Sequence, residues 1–127
     1  MIALDASVLI AHLNPTDPHH QTASNLLSAG TPGQLLVHTL TFAQVLVGGV
    51  RVGRGTELRD DLYAAGIALA PHDDDEALRL AELRATSDLK LPDCCVLDVA
   101  ICHQAALATF DDALAAAARR HGVSVEP

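Results

Sequence analysis

The sequence predicts an α/β fold: a central parallel sheet of four to five strands with helices on both faces. Three observations carry this prediction. Short apolar runs at residues 1–4, 35–39, 67–70 and 106–110 fit strands buried on both sides. Each is followed by apolar positions at helical spacing, so strand and helix alternate along the whole chain. The first run stops abruptly at Asp5 and the last at Asp111-Asp112, which puts acids where strands pass into helices. In open parallel sheets that edge is where ligands bind.

The elements follow in order. After the first strand, Val8, Leu9, His12 and Leu13 mark one face of a helix, which Asn14-Pro15-Thr16-Asp17-Pro18 breaks. A second helix runs from His19 or His20 through Leu27 and is closed by Gly30, with a turn at Thr31-Pro32-Gly33. The strand at 35–39 leads to a helix opening at Thr41, where Thr41 and Gln44 are spaced as a capping box. Gly48 and Gly49 weaken its end, and Arg51 to Gly55 form a basic connection. A helix over about 56–65 stops at Gly66 before the strand at 67–70. Pro71 to Glu76 then lead into a helix reaching about Ala85, the acids reading as a solvated helix start favoured by the dipole.

Leu91-Pro92-Asp93 begins the next helix, with Pro92 suited to its first turn. At about 100° per residue, Val96, Leu97 and Ala100 lie within about 60° of Asp93, whereas Asp98 is rotated by roughly 140°. Asp93 is thus expected at the sheet edge and Asp98 away from it. The strand at 106–110 precedes a final helix over 113–120, Gly122, and a short strand at 123–125.

Composition bounds the function. At 127 residues with 50% hydrophobic content, one domain spanning 1–127 is expected, its core built from small aliphatic contacts because aromatics are only 2%. No apolar run approaches the roughly 20 residues that cross a bilayer, and Asp5 interrupts the first run too early for a signal peptide, so a cytoplasmic protein without a membrane partner is expected. Cys94, Cys95 and Cys102 are odd in number and lie in a helical apolar segment, which suits reduced, buried thiols. A formal charge of −8 argues against loose binding to nucleic acid over the whole surface, leaving a local basic patch or metal-bridged phosphates.

Right-handed crossovers bring the carboxyl ends of the strands to one edge, so Asp5 and Asp111 become neighbours and Asp93 joins them from a helix start. Three unpaired carboxylates repel and, when buried, bind protons more tightly. A divalent cation resolves the repulsion. An all-oxygen site that retains waters suits Mg²⁺ or Mn²⁺ better than Zn²⁺, and its natural substrate is a phosphodiester.

On this alternation, Leu4-Asp5-Ala6-Ser7-Val8-Leu9, then Leu91-Pro92-Asp93, then Thr109-Phe110-Asp111 resemble a PIN-domain ribonuclease, and more narrowly the VapC toxins of bacterial toxin-antitoxin pairs. The resemblance covers essentially the whole chain. It implies Mg²⁺-dependent RNA endonuclease activity with Asp5, Asp93 and Asp111 at the metal, a homodimer, and inhibition by a cognate VapB-type antitoxin. One position departs from the pattern. Where the family carries glutamate in the helix after the second strand, this chain reads Phe42-Ala43-Gln44-Val45-Leu46-Val47-Gly48. Gln44 can offer a carbonyl oxygen but removes a negative charge and cannot act as a base, so weaker metal binding and reduced cleavage are expected.

Plainer readings stand beside these. Asp5 and Asp111 each suit a helix N-cap, Gln44 a capping box, Asp112 a solvated first turn and Ser7 a hydrogen bond in the turn after Asp5. The seven histidines read as surface or packing residues, which disfavours zinc. Arg51, Arg54 and Arg59 suit either a phosphate backbone, an antitoxin or plain solvent. A catalytically weak PIN domain that works by binding RNA or antitoxin is the rival function. A phosphotransfer protein fits worse, because Ser7 stands where aspartyl phosphatases need a second aspartate and the only lysine is Lys90.

Overall fold

A computed structural model describes residues 1–127. Five strands, β1 (Ile2–Leu4), β2 (Leu35–Val37), β3 (Ile67–Leu69), β4 (Ala106–Ala108) and β5 (Val125–Glu126), form one sheet in the order β3-β2-β1-β4-β5. All four pairings are parallel. Seven helices connect them: α1 (Ala6–Leu13), α2 (His20–Ala29), α3 (Thr39–Arg51), α4 (Gly55–Ala64), α5 (Glu76–Ala85), α6 (Leu91–Cys102) and α7 (Asp112–Arg120). The strand alternation feeds two cores. Ala3, Leu36 and Leu107 face α6 and α7, while Leu4, Leu35, Val37 and Ala108 face α1 to α4. Burial on both faces explains why the strands read as continuous apolar runs, and each fully buried leucine, such as Leu9 or Leu97, contributes about 1.5–3 kcal/mol.

The sheet, its parallel pairing and the helices on both faces are as the sequence predicts; the boundaries are tighter. Each long apolar run overshoots its strand, which ends at Val37, Leu69 or Ala108, although Ala70 and Thr109 still each donate one backbone hydrogen bond to the neighbouring strand. The last strand begins at Val125, two residues beyond its expected start.

The predicted capping box is corrected. Helix α3 already begins at Thr39, because His38 accepts the Leu40 N–H on Nδ1 at 3.0 Å and serves as N-cap. Thr41 is therefore inside the helix, 1% exposed, with no hydrogen-bond partner for its Oγ1. The helix also runs through Gly48 and Gly49 to Arg51.

Cys94 and Cys95 are buried thiols, the latter pushed up to about 11 by its burial, so neither ionises near neutrality. Cys102 departs from the expectation: it is exposed, on the outer side of the last turn of α6. No helix is long and apolar enough to cross a membrane.

Candidate metal centre

Asp5 follows β1 in an extended conformation and is 8% exposed. It occupies the N-cap position of α1 but makes no capping bond. Its Oδ2 instead accepts two hydroxyls, Ser7 Oγ and Thr109 Oγ1, each at 2.7 Å. The β1–β4 register, Leu4 beside Ala108, carries Thr109 to Asp5 one residue further on. Ser7 Oγ in turn accepts the Phe110 N–H at 3.1 Å and Thr109 Oγ1 accepts the Asp111 N–H at 3.0 Å, locking the β4–α7 turn against Asp5. Asp5 Oδ1 carries no hydrogen bond and is left free for a ligand.

Asp111 does cap its helix: Oδ1 accepts the Leu114 N–H at 3.0 Å, leaving Oδ2 available. Asp93, half-buried in the first turn of α6, completes the group. Its carboxyl is held above the usual range first by burial and then by the negative charges of Asp5 and Asp111, with only Lys90 opposing. None of the three aspartates has a salt-bridge partner. The topology has thus assembled uncompensated negative charge at one edge.

These donors fit a hard cation. Direct Mg²⁺–O bonds of about 2.0–2.1 Å would bring any two ligand oxygens within about 4.2 Å of each other. The aspartates do not form a group whose oxygens all lie within 4.8 Å. As placed, at least one of them would reach an ion through water, the habit of Mg²⁺.

The sign of the Asp93 shift gives a stability prediction. A carboxyl whose folded pKa is raised binds its proton more tightly in the folded state, so its contribution favours folding in acid and fades as pH rises through the raised value. Asp93→Asn is expected to stabilise the metal-free protein at pH 7 relative to the parent, with the advantage shrinking toward pH 4 in urea titrations. An equal or lower midpoint at pH 7 would contradict the strain that burial and the neighbouring carboxylates place on the Asp93 charge.

Gln44 lies exposed on α3 with no hydrogen-bond partner, so it is not tied to Thr41. Asp98 points away from the aspartates as expected, but it is 5% exposed and takes two bonds from Arg79, at 2.9 and 3.2 Å. Asp112 is an exposed first-turn residue. Arg54 and Arg59 pair with Glu57 and Asp60.

The reading of residues 73–76 as a solvated helix start holds for Asp73 to Asp75, which are exposed, and is corrected at Glu76. Asp73 pairs with Arg79, and the Glu76 side chain, 13% exposed, meets His38 Nε2 at 2.6 Å and His72 Nδ1 at 2.5 Å. Burial alone would raise the Glu76 carboxyl, but the hydrogen bonds and charges of His72 and His38 outweigh it and hold the group below its usual value. The sequence signal was His72 four residues before Glu76, one helical turn; the third member, His38, is visible only once β2 lies beside β3.

A parallel five-stranded sheet whose carboxyl edge gathers aspartates from the end of β1, from α6 and from the β4–α7 turn defines an α/β domain with an acidic edge. Within it the PIN domain family matches residues 2–120, and the chain belongs to that family. Among solved structures it is similar to a toxin-antitoxin complex from Klebsiella pneumoniae, with 25% identity and a TM-score of 0.74 over 91% of this chain and 89% of that one. It shares its fold with Mycobacterium tuberculosis VapC20, described as a sarcin-ricin loop cleaving toxin (17% identity, TM-score 0.76, 92% and 95% covered). FitAcB from Neisseria gonorrhoeae is likewise similar (20% identity, TM-score 0.73, 100% and 97% covered). No curated protein sequence matches the chain.

Proposed function

We propose that the chain is a divalent-metal-dependent RNA endonuclease of the VapC type, acting in the cytoplasm as the toxin of a toxin-antitoxin pair. The observation that carries this reading is the uncompensated charge of Asp5, Asp93 and Asp111 at one edge of a PIN-family sheet. Asp5 Oδ1, Asp93 and Asp111 Oδ2 would hold Mg²⁺ or Mn²⁺, in part through water. When bound, the ion supplies a water of lowered pKa and neutralises charge on the phosphodiester. Ser7 and Thr109 fix the orientation of Asp5 by donating to Oδ2, while the Leu114 N–H fixes Asp111. A VapB-type antitoxin is one proposed protein partner, supported by the toxin-antitoxin complex among the similar structures; a second copy in a homodimer is the other, proposed from the family resemblance.

A binding-only PIN domain is the second reading, favoured by two observations: Gln44 is uncharged where the family carries glutamate, and the aspartates stand apart rather than closed on an ion. Titration of Mg²⁺ and Mn²⁺ against a panel of structured RNAs separates the two. The nuclease is expected to give metal-dependent fragments with 5′-phosphate and 3′-hydroxyl ends. Retention of RNA or antitoxin without cleavage at any metal concentration would establish the binding protein instead.

A further inference from the structure

A second set of metal-ligating side chains stands at the same sheet edge, and its donors are of a different kind. Ligand atoms, one each from His38, His72 and Glu76, all lie within 4.8 Å of one another, and the nitrogens that face the Glu76 carboxylate are Nε2 of His38 at 2.6 Å and Nδ1 of His72 at 2.5 Å. They come from the end of β2, the β3–α5 connection and the first residue of α5. The cleft they line also takes in Asp73, Arg79 and Asp98, but none of Asp5, Asp93 and Asp111. Arg79 is already engaged by Asp73 and Asp98, which leaves the two imidazoles as the partners of Glu76.

We propose that His38, His72 and Glu76 form a binding site for a zinc-class divalent ion, separate in its ligands from the three aspartates. Two imidazole nitrogens and one carboxylate, with solvent access for a water, are the donors of open zinc sites; Mg²⁺ prefers oxygen alone. The surroundings suit such a site. His72 Nε2 is 3.0 Å from Thr39 Oγ1, so when Nδ1 gives its lone pair to an ion, Nε2–H donates to that hydroxyl and fixes the ring.

His38 must change its tautomer. Its Nδ1 now accepts the Leu40 N–H, which places the proton on Nε2, facing Glu76. Binding through Nε2 moves that proton to Nδ1 and releases the Leu40 amide, which lies in the first turn of α3. Loading therefore exchanges one helix-start hydrogen bond for a metal bond. The filled site would tie the starts of α3 and α5 together beside Asp5, which the β1–β2 register, carried forward from Ala3 beside Leu36, places alongside His38.

The test uses Co²⁺ as a coloured probe and Zn²⁺ as its competitor on the full chain, with His72→Asn, whose parent side chain is 48% exposed, and Asp5→Asn as the control. The parent is expected to bind Co²⁺ with the intense visible ligand-field bands of a nitrogen-ligated, low-coordinate site, to release it to Zn²⁺, and to shift its Leu40 amide resonance on loading. Asp5→Asn keeps the bands. His72→Asn weakens binding beyond the roughly 10- to 100-fold that loss of a supporting partner costs. A folded parent that takes up neither ion at micromolar concentration, equal binding by His72→Asn, or loss of the bands in Asp5→Asn each overturns the site. Because cobalt uptake is read without RNA, the outcome is independent of whether the chain is a nuclease.

Discussion

Asp5→Asn is expected to lower metal-dependent RNA cleavage by more than about 100-fold while leaving the fold intact. The reason lies in how unevenly the two carboxylate oxygens are used. Oδ2 holds the Ser7 and Thr109 hydroxyls together, a role the asparagine carbonyl can keep because it also has two lone pairs. Oδ1 carries no such bond, and the amide nitrogen that replaces it can neither bind a cation nor contribute charge. Unfolding by urea should therefore move little, whereas the Mg²⁺ dependence of cleavage should disappear. Undiminished cleavage by the folded variant would remove Asp5 from the metal centre, and the nuclease assignment with it.

Gln44→Glu carries the second large effect, in the opposite direction. The substitution restores one negative charge at an exposed position with no hydrogen bond to lose, so its cost to the fold is small. If the α3 side chain reaches the ion, the variant should cleave about tenfold faster at limiting Mg²⁺, equivalent to about 1.4 kcal/mol of barrier, and reach half-saturation at lower metal. Cleavage assays across a Mg²⁺ series measure both. Identical curves for parent and variant would show that Gln44 stays outside the reaction, and the expected weakening would have no basis.

How far these features were legible from the residues depended on the range of the interactions involved. Asp5 was readable because an apolar run that ends in an acid marks a strand–helix junction, and strand alternation then forced Asp111 to the same edge. Asp93 followed from helical geometry alone. What was hidden turned on exceptions or on distant partners. Thr41 and Gln44 match a capping box, yet His38, an unusual cap, had already started α3 two residues earlier. The acids at 73–76 look like any solvated helix start until β2 pairs with β3 and brings His38, 38 positions away, onto Glu76. Asp5 and Asp111 suited the same capping role on paper, and only the hydrogen bonds separate them: Asp111 caps and Asp5 does not.

The pairing of β1 with β4 joins Asp5 to a hydroxyl 104 positions later, and Asp111 lies beyond that. The acidic edge therefore cannot exist until the chain has been made as far as Asp111: a nascent segment that stops before residue 93 carries Asp5 with neither of its partners, and one that stops before residue 109 lacks the hydroxyl that holds Asp5 from β4.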